Sequence, residues 1–168
     1  MSNLIILRGY PGAGKSTIGK ALQRSGAGKF IDHNAILTFV ANIAGDDSGI
    51  YDDIANLELS IARKLLKSNT SAIAARGFSS LESIKPYEDL AKELGATVCI
   101  FRIDVNYEEL AKRVQGIDRS DRLNPTTNPE LLEKWISDNP LIDHKDETIV
   151  DNTRSIGEVV NDILACIK

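Results

Sequence analysis

Gly9-Tyr10-Pro11-Gly12-Ala13-Gly14-Lys15-Ser16 is the stretch whose reading decides the fold. It fits G-x-x-x-x-G-K-[ST], the phosphate-binding P-loop pattern, and its setting supports the match. Leu4 to Leu7 reads as a short buried strand, and Thr17 to Gln23 continues as a helix. Each part has a chemical reason. Glycines allow the backbone to approach a polyphosphate in conformations closed to other residues. The loop amides then form an anion nest backed by the positive end of the helix. Lys15 is positioned to reach the β- and γ-phosphates, and Ser16 to place its hydroxyl on Mg²⁺. The candidate nucleotide-binding set is therefore Gly9, Pro11, Gly12, Ala13, Gly14, Lys15, Ser16 and Thr17.

The chain has 168 residues, enough for one domain with a real core, and a net charge of −4. That charge provides no global field for nucleic acid or an anionic membrane, and no apolar run is long enough to span a bilayer. Arg8 and Gly9 interrupt the first apolar run too early for a signal peptide. Cys99 and Cys166 are far apart and read as buried or free thiols rather than a metal or disulfide framework. The expected setting is cytoplasmic. The whole chain, 1–168, reads as a single domain without linker or repeat, with a lid over approximately 113–138.

Phe30-Ile31 reads as a second strand ending at Asp32. A carboxylate there is either a general base or a ligand of Mg²⁺-bound water, or it caps the following helix; these roles can coexist. His33 beside it is a weaker candidate. Helices follow over Ala35 to Ala44 and from Asp52 to Ser68, the second with Ile54, Leu57, Ile61 and Leu65 at helical spacing. Ser71 to Ala75 is a small, apolar third strand, as a central parallel strand should be. Arg76 stands at its end, where many P-loop proteins carry the Walker B acid. It either binds an anionic acceptor or forms a salt bridge with a neighbouring carboxylate such as Asp32. Ser80 to Leu94 is a helix containing Pro86, and Ala96 to Ile103 a fourth strand, with Asp104 read as a helix cap. Tyr107 to Gln115 is helical and leads into Arg113, Arg119 and Arg122. Guanidinium groups on a closing lid suit the charge that develops in phosphoryl transfer. Pro129 opens a further helix. Glu147 to Val150 is the fifth strand, and Asn152, in the loop after it, is placed to contact a nucleotide base. Ser155 to Ile167 closes the chain as an amphipathic helix.

Strands alternating with helices make this an α/β chain, a parallel sheet with helices on both faces and its ligands at the carboxyl ends of the strands. On Gly9 to Thr17, Asp32, Arg113 to Arg122 and Val150-Asp151-Asn152-Thr153, it resembles the small P-loop kinases of the polynucleotide 5′-kinase and gluconate-kinase-like group, AAA-type P-loop kinase-like ATP-binding proteins. The resemblance implies a five-stranded sheet ordered 2-3-1-4-5, an ATP–Mg²⁺ donor and arginines on a lid. It also implies an acid near the start of the helix after strand two. Of Asp32, Asn34 and Ala35 there, only Asp32 is a carboxylate. Members of the group also tend to carry an aspartate at the position of Arg76.

The resulting expectation is an ATP-dependent phosphotransferase acting on a hydroxyl of a small molecule or a nucleic-acid 5′ end. Lys15, Asp32, Arg119 and Arg122 would be catalytic, Arg119 and Asn152 would also contact the nucleotide, Asp32 and Arg76 would bind substrate, and Ser16 the metal. The competing reading is a nucleotide-binding regulator with a degenerate acceptor site, motivated by Arg76 and the missing acid. An NTPase switch ranks lower, since the chain has neither an Asn-Lys-x-Asp signature nor a strand ending in Asp-Glu.

Overall fold

Leu4, Ile5, Ile6 and Leu7 are all completely buried, and the strand they form, β1 (Asn3–Arg8), is the middle of the sheet. The computed structural model describes residues 1–44, 50–115 and 128–167. In chain order β1 is followed by α1 (Lys15–Arg24), β2 (Lys29–Ile31), α2 (His33–Ala44), α3 (Ile50–Lys67) and β3 (Ala72–Ala75). Then come α4 (Leu81–Leu94), β4 (Thr97–Asp104), α5 (Tyr107–Gln115), α6 (Pro129–Asp138), β5 (Glu147–Asp151) and α7 (Ile156–Cys166). The sheet has five parallel strands in the order β2-β3-β1-β4-β5, the order the kinase resemblance implies.

Strand alternation splits the core into two layers, because successive side chains point to opposite faces. Ile5 and Leu7 face one side with Ile73, Phe101 and Ile103, and pack against Ile18 and Leu22 of α1 and Val159, Val160 and Ile163 of α7. Leu4 and Ile6 face the other with Ala72, Ala74 and Ile100, and meet Ala62 and Leu66 of α3 and Ile84, Leu90 and Ala91 of α4. Each fully buried Leu or Ile contributes on the order of 1.5–3 kcal/mol. Close helix–sheet approach needs Gly19, where a Cβ would come within 2.5 Å of the Phe30 ring.

Several local readings are corrected. Asp104 is the last residue of β4, paired with Asp151 of β5, and the cap of α5 is Asn106, whose Oδ1 accepts from Glu109 N–H at 2.9 Å. As expected, α4 contains Pro86, and it runs through that residue from an N-cap at Ser80. In α3 the buried line is Ile54, Glu58, Ala62 and Leu66, one residue round from the expected face, so Leu57 is 38% exposed. Both cysteines are free, and burial pushes the Cys99 thiol up. Among the described residues no helix is long and apolar enough to cross a membrane.

A charged cluster closes the sheet beside the end of β1. Arg8 is fully buried, and its guanidinium donates to Phe78 O at 3.1 Å and Glu147 Oε2 at 2.7 Å. Arg102 lies 3.0 Å from the other oxygen of Glu147 and 2.5 Å from Asp143. One carboxylate of β5 thus neutralises cations on β1 and β4. Removing it would leave Arg8 charged in the interior, which typically costs about 3–5 kcal/mol. Glu147→Ala is accordingly expected to lower unfolding stability by about that amount in urea titrations; a loss under about 1 kcal/mol, the range of an exposed pair, would show that the cluster is solvated.

Candidate functional site

The loop after β1 takes a shape that glycine permits. Gly9, Gly12 and Gly14 have φ values of 144°, 82° and 94°, all in the region that disfavours side chains. Gly14 is the N-cap residue of α1 and brings no side-chain cap, and the helix has no acid in its first turn. The first amides of α1 therefore meet neither a capping oxygen nor a negative charge, which makes this helix end a site for an anion. Lys15 folds back over the loop, with Nζ donating to Gly9 O at 2.8 Å and Tyr10 O at 2.9 Å. Ser16 is partly exposed at the same end, and Thr17 is exposed.

Asn152 braces this loop. It is buried, and its Nδ2 donates to Ala13 O at 2.6 Å. A Cβ on Gly14 would collide with that same nitrogen, so the glycine and the asparagine require one another. The side chain expected to contact a base is thus engaged with the loop backbone. Arg113 joins it from α5: its guanidinium donates to Asn152 O at 2.8 Å and Glu109 Oε1 at 3.0 Å, and Nη1 lies 3.8 Å from the position of a Gly14 Cβ. Arg113 thus reaches the loop from the start of the basic stretch. Arg119 and Arg122, the arginines expected to act from the lid, lie outside the described residues, as does much of the segment from 113 to 138. On the loop's other side Tyr10 meets Trp135 of α6 edge-to-face at 6.2 Å, and Trp135 closes against Gly77.

At the end of β2, Asp32 both caps and pairs. Its Oδ1 accepts from Ala35 N–H at 3.4 Å, and its Oδ2 lies 3.0 Å from Lys20 Nζ. Lys20 is four residues after Ser16 on α1, so the two share a helix face about 6 Å apart along the axis. That contact puts the Asp32 carboxylate beside the face of α1 that carries the Ser16 hydroxyl. Arg76, at the end of β3, does not pair with Asp32. Its Nη1 lies 3.4 Å from Glu58 Oε2, and its guanidinium stands 5.5 Å from the centre of the Phe78 ring.

Glu58 is the residue that sequence reasoning missed. It is 1% exposed on α3 and accepts from Tyr87 Oη–H at 2.9 Å, while its Oε1 lies 2.7 Å from His33 Nδ1. Burial, followed by the charge of Glu58, holds the Tyr87 hydroxyl well above the usual phenol range, so it stays a donor. A signal existed. Glu58 falls four residues after Ile54 and four before Ala62, so a carboxylate occupies the inward line of an amphipathic helix.

Residues 4–137 match the AAA domain family model, and the chain belongs to that family. Its fold recurs in solved structures. A gluconokinase from Sinorhizobium meliloti 1021 is 19% identical with a TM-score of 0.64, over 98% of this chain and 91% of that one. A kinase candidate from Chloroflexus aurantiacus J-10-fl is 18% identical with a TM-score of 0.77, over 99% of both chains. A sugar kinase from Janibacter sp. HTCC2649 is 13% identical with a TM-score of 0.68, over 98% and 94%. The comparison with curated proteins returned no match. The fold is one that the chain shares with these structures.

The bracing role of Asn152 has a direct test. Asn152→Ala removes the donor to Ala13 O and leaves a buried carbonyl unpaired, at a cost of about 1–3 kcal/mol. Nucleotide affinity measured by calorimetry is expected to fall roughly 10-fold or more, in line with that loss. Unchanged affinity would mean that the loop holds its shape without the brace.

Proposed function

With membership of the AAA domain family as the premise, we propose that the chain transfers the γ-phosphate of ATP–Mg²⁺ to a hydroxyl of a small, anionic acceptor. The observation that carries this reading is the uncapped, acid-free N-terminus of α1 behind a glycine loop, with Lys15 and Ser16 at its mouth. A helix end of that kind has an affinity for phosphate and little else to satisfy it. The similarity in fold to a gluconokinase and a sugar kinase supports a sugar-like or sugar-acid acceptor.

The protein's part in the reaction is positioning and charge neutralisation. Loop amides and Lys15 hold the donor phosphates. Among the described residues there is no group of three or more acidic, histidine or cysteine side chains that could cage a metal. Ser16, with Asp32 acting through water, would hold Mg²⁺ together with the phosphates. When bound, the ion neutralises charge that builds on the phosphate oxygens. The acceptor oxygen forms the new bond to phosphorus, the bond from phosphorus to the bridging oxygen breaks, and ADP leaves. Arg76 orients the anionic acceptor from the end of β3. The segment 113–138 serves as a lid, from which Arg119 and Arg122 meet the developing charge. Asp32 serves this junction as a carboxylate, on the metal's water or on the hydroxyl proton.

The test is transfer of labelled γ-phosphate to sugar acids, sugars, nucleosides, nucleoside monophosphates and 5′-hydroxyl DNA and RNA ends, with water as the blank. Transfer to an anionic small molecule is expected, and transfer confined to nucleic-acid ends would replace the acceptor assignment. ATP binding without transfer to any acceptor would favour the regulator reading instead.

Two variants separate the poles of the site. Lys15→Ala removes charge-assisted contacts worth about 1.5–3 kcal/mol, so ATP should bind roughly 10- to 100-fold more weakly. Asp32→Asn should keep ATP affinity and lose roughly 10²- to 10⁴-fold in turnover. Normal ATP binding by the first variant, or full turnover by the second, would remove that residue from its role.

A further inference from the structure

We propose that His33 is the general base for the acceptor hydroxyl, with Glu58 as the positioning residue that fixes its tautomer; this deepens the phosphotransferase reading and rests on it. Glu58 is enclosed among α2, α3, α4 and β3, and both of its oxygens are engaged. Oε1 meets His33 Nδ1 at 2.7 Å, while Oε2 takes the Tyr87 hydroxyl at 2.9 Å and Arg76 at 3.4 Å. An ionised carboxylate only accepts hydrogen bonds, so His33 Nδ1 must carry the proton in that contact. The neutral ring then holds its lone pair on Nε2. Nε2 has no hydrogen-bond partner among the described residues, and the side chain is 20% exposed. A buried carboxylate on one ring nitrogen and an accessible lone pair on the other is the arrangement of an oriented base.

Position supports the role. His33 is the first residue of α2 and adjoins Asp32, so it sits where the chain leaves the carboxyl end of β2. Asp32 is held differently, paired with Lys20 at 3.0 Å on the face of α1 that bears Ser16. The two neighbours thus divide the work. Asp32 serves the metal's water, and His33 Nε2 takes the hydroxyl proton as the acceptor oxygen bonds to phosphorus and ADP departs. The imidazolium so formed is stabilised by Glu58. Among the described residues, the charged and titratable groups linked to the ring are Glu58 of α3, with Arg76 just after β3 and Tyr87 of α4 behind it; Asp32, paired with Lys20 of α1, is its chain neighbour.

The alternative is that the pair only ties α2 to α3, and His33→Asn separates the two. The asparagine amide nitrogen occupies the place of Nδ1 and can still donate to Glu58, so the tie survives while the base is lost. With ATP–Mg²⁺ and the acceptor found in the panel, His33→Asn is expected to lower kcat roughly 100-fold or more, with the KM for ATP within about twofold of the parent. Glu58→Gln, which frees the ring to take either tautomer, should also lower kcat, again with the KM for ATP within about twofold. Turnover within about twofold of the parent in His33→Asn would overturn the proposal. If the parent transfers phosphate to no acceptor, the phosphotransferase reading is what fails. The base assignment is then decided by ¹⁵N spectra of the chain's 2 histidines, with His33→Asn assigning the signals. A proton on Nδ1 and a bare Nε2 that loses this preference in Glu58→Gln supports the assignment, and a proton on Nε2 overturns it.

Discussion

Everything in this molecule answers to the burial of β1 on both faces. A strand with no side toward water must have its backbone groups paired on both edges, and β3 and β4 supply those pairs in register from Leu4 onward. It must also be covered above and below, which the two helical layers accomplish. The chain leaving that strand therefore emerges at the topological switch point of the sheet, where the chain turns to β2 and β3 on one side and returns to β4 on the other. The glycine loop lies at that exit. Its anion-binding geometry follows from how the central strand has to be enclosed, and α1 lends its free amides because Gly14 starts the helix without a cap.

The parts legible in the sequence were those governed by local rules. Leu4 to Leu7, the glycine pattern and the helix it opens are short-range signals, and each forms where the pattern puts it. The strand order came from the family resemblance. What escaped was decided by contacts between distant residues. Glu58 gains its meaning from His33, Arg76 and Tyr87, which lie 25, 18 and 29 residues away. Asn152 was placed near a nucleotide because it follows a strand, and no local signal shows that its amide also reaches Ala13 across 139 residues. The face of α3 was misjudged by one position, since Leu57 has better hydrophobic credentials than Ala62, but the smaller residue fits against the sheet. Asp104 was read as a cap because local chemistry allows it, and pairing with β5 overrode that preference.

Arg76 shows how the site redistributes charge. An acid at the end of β3 would have placed negative charge directly beside the loop. Here the cation occupies that place, and the balancing carboxylate sits behind it on α3, away from solvent. The Glu58 oxygens are satisfied by His33, Arg76 and Tyr87, so the buried carboxyl is not left without partners. Net charge at the mouth is shifted toward positive without an uncompensated interior ion. The same device appears at the other sheet edge, where Glu147 serves both Arg8 and Arg102.

The packing of Trp135 has an optical consequence. It is the only tryptophan in the chain, and it contacts Tyr10 of the phosphate-binding loop on one side and Gly77, next to Arg76, on the other. An indole in that wedge senses polarity and quenching beside both the glycine loop and the end of β3. The protein therefore carries a built-in fluorophore at the seam of its own site, and the emission of the unlabelled chain reports on what occupies it.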